Sequence, residues 1–148
     1  MKDVTVSQVT TSSPEYRQVW ELREEILRKP LGMSLKDEDL GRDHVDTIFA
    51  ASHEGKVIGC LMAHHNSGDE VQLRQMAVYN EWQGKGVGRL LINVAEAYAQ
   101  SRGYKTIILH ARKVAAGFYE NLGYTTYGDE FTEVNIPHYM MQKAVVTE

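Results

Sequence analysis

Residues 83–98 read QGKGVGRLLINVAEAY, and this stretch decides the fold of the chain. Its three glycines alternate with other residues, at Gly84, Gly86 and Gly88. Apolar side chains then recur at the spacing of one helical face. They are Val87, Leu90, Leu91, Val94, Ala95 and Tyr98. The stretch predicts a glycine-rich turn followed by an amphipathic helix that ends near Gly103.

Upstream of this turn, the sequence predicts an antiparallel meander of three strands. Alternating side chains over residues 71–79 form the strand that enters the turn, and residues 46–53 and 56–65 form a hairpin before it. Earlier still, a short strand over residues 4–9 precedes a helix that begins at Pro14 and is ended by Pro30 and Gly32.

Downstream of the amphipathic helix, three strands and one helix complete the pattern. Residues 106–109 form a buried strand, and residues 114–122 form a helix that is closed by Gly123. Strands over residues 124–127 and 138–146 follow. The predicted order is therefore β-α-βββ-α-β-α-ββ, which describes a mixed α/β sandwich.

Size and composition indicate one globular domain over residues 1–148. The chain is 43% hydrophobic and 24% charged, with a formal net charge of −4. A net negative chain argues against nucleic acid as the main partner, because phosphate neutralisation requires a basic face.

Cysteine content and hydropathy indicate the cellular compartment. The single cysteine, Cys60, lies in an apolar run and is expected to be a small buried residue, and one cysteine cannot form an internal disulfide. No apolar run approaches the ~20 residues of a membrane span, and the start of the chain lacks a signal-peptide pattern. We expect a cytoplasmic protein with no membrane partner.

The glycine-rich turn is a candidate anion site. Glycines allow several backbone N–H groups to converge, the start of a helix carries about half a positive charge, and Lys85 and Arg89 add full charges. The turn lacks the GxxxxGK[ST] of a nucleotide-binding loop and the third glycine of GxGxxG. A phosphate or pyrophosphate remains the favoured ligand, against the alternative that glycine serves only the turn.

Two motifs resemble a known family, the GCN5-related N-acetyltransferases (GNAT). Residues 83–88, QGKGVG, resemble the family's [Q/R]xxGx[G/A] signature, and residues 115–124, AAGFYENLGY, resemble its A-x-x-F-Y-E-x-L-G-F/Y. Residues 131–138, FTEVNIPH, and the helix at 22–28 are similar to the ElaA-type branch. The resemblance implies an α/β (α+β) fold with a mixed, mostly antiparallel central sheet flanked by helices on both faces.

The resemblance also implies the cofactor and how it is held. Acetyl-coenzyme A would be the co-substrate, with its pyrophosphate on the backbone of Gln83, Gly84, Lys85, Gly86, Val87, Gly88 and Arg89. The pantetheine arm would run beside Met76, Ala77 and Val78, and the Met76 N–H would be an oxyanion donor. Arg112 stands where the family often has asparagine, so its contact would be to a phosphate.

The resemblance makes Tyr119 the general acid that protonates the departing thiolate, with a core aromatic as the alternative role. The acceptor would be a small-molecule or peptide amine. A lysine-like amine is neutral in only about one molecule in 2,500 at pH 7, so forming the neutral amine costs about 4.6 kcal/mol. Spacing identifies no base for it. The candidates are Glu133, His138, Glu70 and His110, and Glu133 is the catalytic candidate that we name.

Several alternatives stay open at this level. A non-catalytic acyl-coenzyme A binding or sensing module could use the same fold. Adjacent His64 and His65 point to opposite faces of a strand, so we expect no metal. Arg23 lies on the apolar stripe of the first helix, either as a salt-bridged core residue or as a charge in a substrate pocket. Homodimers are common in the family that the chain resembles.

Overall fold

A computed structural model of the chain describes residues 3–145. Its strands are β1 (Val4–Val9), β2 (Thr47–His53), β3 (Lys56–Ser67), β4 (Glu70–Val78), β5 (Thr106–Arg112), β6 (Thr125–Glu133) and β7 (Ile136–Ala144). Its α-helices are α1 (Tyr16–Arg23), α2 (Val87–Ser101) and α3 (Ala116–Asn121). A π-turn covers Glu24–Arg28, and short 3₁₀ turns cover Lys29–Leu31, Leu35–Asp37, Gly41–His44, Asn80–Trp82 and Lys113–Ala115.

The strands form one sheet in the order β1-β2-β3-β4-β5-β7-β6. The pairs β1–β2, β2–β3, β5–β7 and β6–β7 are antiparallel, and β4 pairs with β5 in parallel. Helix α2 supplies the crossover between those parallel strands, as a parallel pair requires. The predicted fold class and element order are confirmed.

Most differences from the predicted elements concern their ends. Strand β5 continues to Arg112 and β6 to Glu133, whereas their apolar patterns end near Leu109 and Tyr127. The last residue of the predicted final strand, Val146, lies outside the described residues. Apart from the buried Ala111, these extensions carry mostly polar side chains that are exposed or half-buried, and pairing with β7 continues along them.

The first helix is not the uniform α-helix that its spacing predicts. After α1, the backbone widens into the π-turn at Glu24–Arg28 and then tightens into the 3₁₀ turn that contains Pro30. Gly32 ends it in the left-handed conformation with φ of 70°, as the sequence predicts. Such single π-turns are frequent at functional sites.

The described residues fall into two compact units. One runs to His64 and includes Gln75–Ala95, and the other comprises His65–Arg74 and the chain from Glu96 onward. In the first unit, the core contains Val19 and Leu22 of α1 with residues of β1 to β4. The prediction of a single domain over residues 1–148 stays a prediction. No helix in the described range is long and apolar enough to cross a membrane.

Close approach between β3 and α2 sets the position of the glycine-rich turn within the first unit. A Cβ placed on Gly59 would lie 2.9 Å from Val87 Cγ1 and 3.2 Å from Leu91 Cδ1. A residue with a side chain would therefore push the start of α2 away from the strand. Glycine at position 59 lets the first turn of the helix pack directly on β3.

Candidate functional site

The glycine-rich turn begins after the 3₁₀ turn Asn80–Trp82 and ends where α2 starts. Gly84 and Gly86 have φ angles of 77° and 88°, which residues with a side chain rarely adopt. The first bond of the helix joins the Leu90 N–H to the Gly86 carbonyl over 3.0 Å. Gly86 is thus the residue that caps the N-terminus of α2.

The backbone N–H groups of this turn are unused. From Gly84 through Arg89, none donates to an acceptor among the residues that the structure describes. The Gln83 N–H differs, because it donates to the Asn80 carbonyl over 3.2 Å. Six successive N–H groups at a helix start, two of them at left-handed glycines, form an arrangement suited to a diphosphate.

Gln83 holds the turn against the end of β4. Its side-chain amide nitrogen donates to the Val78 carbonyl over 2.9 Å and to Asn80 Oδ1 over 3.2 Å. Its backbone and side chain are therefore both engaged within the protein. The structure gives Gln83 a role in shaping the turn.

Two exposed cations flank the unused N–H groups. The Lys85 ammonium lies 5.3 Å from the centre of the Trp82 ring, and Arg89 has no ion-pair partner within residues 3–145. In the second unit, Arg112 ends β5 opposite His138, likewise without a hydrogen bond or ion pair in the described part of the chain. Each of these cations is available to an anionic ligand.

Strand β4 kinks where the predicted thioester contacts begin. Its parallel ladder with β5 runs from Glu70–Thr106 to Leu73–Leu109 and then ends. Two residues later, Gln75 has a φ of 57°, which is uncommon for a residue other than glycine. Met76, Ala77 and Val78 follow the kink and complete the strand.

A buried network of charged side chains contacts Gln75, the residue at this kink. The Arg23 and Asp43 side chains are each 1% exposed, and Arg23 Nη1 donates to Asp43 Oδ2 over 2.8 Å. Arg23 Nε also donates to Gln75 Oε1 over 3.3 Å. Burial, together with the hydrogen bond to Asp43, raises the pKa of Tyr16 to about 12. Of the two roles left open for Arg23, the structure assigns the salt-bridged core residue.

Arg28 extends the network from the π-turn. Its Nε atom lies 2.5 Å from Glu38 Oε2, and its Nη2 atom lies 3.5 Å from Gln75 Oε1. The acidic stretch at 37–39 thus supplies a carboxylate to a partly buried pair. Gln75 therefore joins both arginines to the kinked strand.

Cys60 is buried beside this network and does not have the character of a nucleophile. Desolvation raises the pKa of its thiol to about 12, against smaller opposing effects of Arg23 and of the Ala77 N–H. Its sulfur donates to the Gln75 carbonyl. The prediction that Cys60 is a small buried residue is confirmed.

We expect Cys60 to resist thiol reagents in the folded protein. A thiol with a pKa of about 12 is almost entirely protonated at neutral pH, and the thiolate is the reactive form. Reaction with Ellman's reagent should release less than about a tenth of an equivalent in native buffer and one equivalent in urea. Rapid reaction of the native protein would contradict this placement.

Tyr119 lies in α3 of the second unit, half-buried between other aromatic rings. Its ring makes edge contacts with Phe118 and Tyr124, at centre distances of 5.0 and 6.0 Å. Desolvation raises the pKa of Tyr119 to about 12, and its hydroxyl makes no hydrogen bond to the described residues. The hydroxyl therefore stays protonated at physiological pH and is free to donate.

Three of the four candidate bases lie together, a grouping that the sequence did not indicate. His110 Nδ1 is 3.1 Å from Glu133 Oε2, and His138 Nε2 is 3.9 Å from the same oxygen. Glu70 instead accepts from Asn66, and its charge contributes to the raised pKa of Tyr127. Cross-strand register between β5, β7 and β6 brings these side chains together, and sequence spacing carries no such signal.

The adjacent histidines that were considered as metal ligands have separate interactions. Within residues 3–145, no group of three or more His, Cys, Asp or Glu residues converges. His64 pairs with Asp46 over 2.5 Å, and His65 contacts the Tyr104 hydroxyl over 2.9 Å. The two neighbouring histidines therefore have different partners.

The sheet, its kinked strand and the glycine-rich turn are features by which a class of protein can be recognised. Sequence comparison identifies that class. Residues 12–124 match the family described as the acetyltransferase (GNAT) family. The chain therefore belongs to that family. This confirms the family that the two sequence motifs indicate.

One curated protein is similar to this chain in sequence, and two solved structures are similar to it in fold. A protein of Bacillus subtilis named as a putative acetyltransferase is 27% identical over 139 residues, which cover 90% of this chain and 92% of that protein. Escherichia coli ElaA has a similar fold, with a TM-score of 0.84 at 16% identity over 95% of this chain and 99% of that one. An aminoglycoside 6′-N-acetyltransferase complexed with coenzyme A gives 0.79 at 18% identity, over 97% and 98%.

Proposed function

We propose that the protein transfers an acetyl group from acetyl-coenzyme A to an amine by direct attack in a ternary complex. The observation that carries this proposal is the run of unused N–H groups from Gly84 to Arg89 at the start of α2. These groups, with Lys85 and Arg89, have the chemistry to bind the cofactor diphosphate. The acceptor would be a small-molecule or peptide amine.

The remaining roles follow from the chemistry of thioester aminolysis. A backbone N–H at Met76, beyond the kink in β4, would donate to the carbonyl oxygen as negative charge develops on it. The free Tyr119 hydroxyl would donate to the departing sulfur. Arg112, without a partner in the described chain, would bind a cofactor phosphate.

The experiment that tests the proposal follows release of free thiol from acetyl-coenzyme A in the presence of primary amines. The set should include an alkylamine, a polyamine, a peptide N-terminus and an aminoglycoside. Turnover with any of them supports the proposal. Tight coenzyme A binding without turnover on any amine would favour the sensing module, and absence of binding would remove both functions.

A glycine of the turn should prove necessary for cofactor affinity. Replacing Gly86 by alanine places a side chain at a φ of 88°, a conformation that costs about 1–2 kcal/mol for residues other than glycine. If the turn relaxes to avoid this cost, the N–H groups lose their convergence. We expect the Kd for coenzyme A, measured by calorimetry, to rise about 5- to 30-fold.

The chain offers a matched control for this substitution. Gly55, in the hairpin between β2 and β3, has a φ of 79°, and a Cβ there meets no atom within 4 Å, as at Gly86. Gly55→Ala should cost similar stability but leave the affinity for coenzyme A unchanged. Equal loss of affinity in both variants would show that destabilisation alone explains the result at Gly86.

A further inference from the structure

His110 and Glu133 form a dyad with a defined tautomer. His110 Nδ1 lies 3.1 Å from Glu133 Oε2. An ionised carboxylate can only accept a hydrogen bond, so Nδ1 carries the proton that forms this contact. The neutral imidazole therefore presents a lone pair at Nε2. The His110 side chain is 32% exposed.

Aromatic and imidazole contacts hold the dyad in place. The Phe131 ring meets the His110 ring edge-on at 5.3 Å and stacks on the His138 ring at 5.7 Å. His138 is itself buried and donates from Nδ1 to the Ile136 carbonyl over 2.7 Å, which directs its Nε2 atom toward Glu133. Glu133 is thus flanked by two oriented imidazoles.

The position of His110 in the sheet places the dyad just beyond the end of the parallel ladder. The ladder between β4 and β5 ends at Leu73–Leu109, so His110 is the first residue of β5 beyond it. Under the proposed function, the thioester lies beside Met76, which follows the same end of the ladder on β4. Met76 and His110 thus both follow the last paired residues of their strands.

The dyad and Tyr119 lie on opposite faces of the sheet. Lys143 is the register partner of Ile107, and register partners share a face. Lys143 contacts Glu96 of α2 and the Leu122 carbonyl at the end of α3, so α3 lies over that face. Side chains alternate along β5, which places His110 on the other face.

We propose that His110 accepts the proton of the acceptor ammonium and that Glu133 is the positioning residue that orients its imidazole. This proposal rests on the proposed acetyl transfer and names the base for it. His110 and Tyr119 lie on opposite faces of the sheet. The base therefore acts on the nucleophile from one face, and the acid protonates the leaving group from the other. In other catalytic sites, too, a catalytic base is oriented by a further group that hydrogen-bonds to it.

The proton balance of the step is complete with these groups. The ammonium gives one proton to His110 Nε2, which later passes it to solvent, and the Glu133 carboxylate stabilises the imidazolium. The amine then forms the C–N bond, and the C–S bond breaks. Tyr119 donates a proton to the departing thiolate, and the second proton lost from the nitrogen restores the Tyr119 hydroxyl. The net products are amide, free thiol and one released proton.

Kinetics of conservative variants test the assignment. With 2-phenylethylamine and acetyl-coenzyme A, His110→Gln should lower kcat about 10²-fold or more, while the Kd for coenzyme A stays unchanged. His65→Gln is the control, because His65 lies in the same unit and its ring contacts Tyr104 rather than Glu133. Wild-type kcat in His110→Gln would overturn the proposal.

Acceptor basicity provides a second kinetic readout. Aniline is already neutral at pH 7, so it requires no proton removal before attack. The loss in His110→Gln should therefore be at least tenfold smaller with aniline than with 2-phenylethylamine. An equal loss with both amines would indicate a structural role and would contradict the proposal.

A spectroscopic measurement tests the dyad without turnover. Nitrogen-15 spectra at about pH 9, where an ordinary imidazole is neutral, should show His110 as the Nδ1–H tautomer. In Glu133→Gln, the Nε2–H tautomer should appear. Finding Nε2–H in the wild type would overturn the assignment of His110. Absence of thiol release by the wild type with every amine would instead refute the acetyl transfer, so the two failures are distinguishable.

Discussion

Replacing Asp43 by asparagine should lower the free energy of unfolding by about 3–5 kcal/mol, because it leaves the charge of Arg23 buried without its partner. Both side chains are 1% exposed, so water cannot compensate. Tyr16 and Gln75 also contact this pair and would lose their present geometry. Urea unfolding should show a lower midpoint at an unchanged slope.

Two further variants distinguish the cost of an unpaired buried charge from the cost of a lost contact. Glu21→Gln removes an exposed pair with Arg17, where the side chains are 53% and 80% exposed, and should change stability by less than about 0.5 kcal/mol. Replacing both members of the buried pair, as Arg23→Met with Asp43→Leu, should recover at least half of the loss. A double variant as unstable as Asp43→Asn would contradict the charge argument.

Replacing Tyr119 by phenylalanine should reduce kcat about 10²-fold and leave the Kd for coenzyme A within about twofold. The substitution removes a hydroxyl that makes no hydrogen bond within the described residues and preserves the ring contacts with Phe118 and Tyr124. The pKa of Tyr119, raised to about 12, exceeds the ~8.5 of a thiol. Complete proton transfer is therefore uphill, which places the effect at the low end of general acid catalysis.

Tyr124 is the matched control for this measurement. Its hydroxyl donates to Glu96 over 2.8 Å, and burial raises its pKa further than that of Tyr119. Tyr124→Phe should cost about 1 kcal/mol of stability, through the lost hydrogen bond, with little change in kcat. If Tyr119→Phe weakened coenzyme A binding more than about tenfold at normal kcat, Tyr119 would be a binding residue instead.

Much of the architecture was predictable because its signals are local. The apolar spacing over 87–98 predicts α2, and Gly32 and Gly103 end their helices in the left-handed conformation that glycine favours. The hairpin between β2 and β3 turns at Glu54 and Gly55, both at positive φ, where the sequence predicts a turn. The family also follows from two short motifs.

The candidate site was predictable only in part. The turn at 83–88 and Tyr119 carry local motifs, whereas the partner of Arg23 lies 20 residues away, in a segment without a motif. The π-turn at Glu24–Arg28 has no sequence signal because its side-chain spacing resembles that of an α-helix. The left-handed Gln75 was also missed, since glutamine has no special preference for that conformation.

The sequence by itself determined the order of the strands and helices, the glycine-rich turn and the family, because periodicity, turn residues and short motifs act between neighbours along the chain. Only the tertiary structure decided that Arg23 pairs with Asp43, that Gln75 kinks β4 and that His110 meets Glu133. These relations depend on strand register and on packing across many residues. A shift of register by one residue would place His110 and Glu133 on different faces of the sheet.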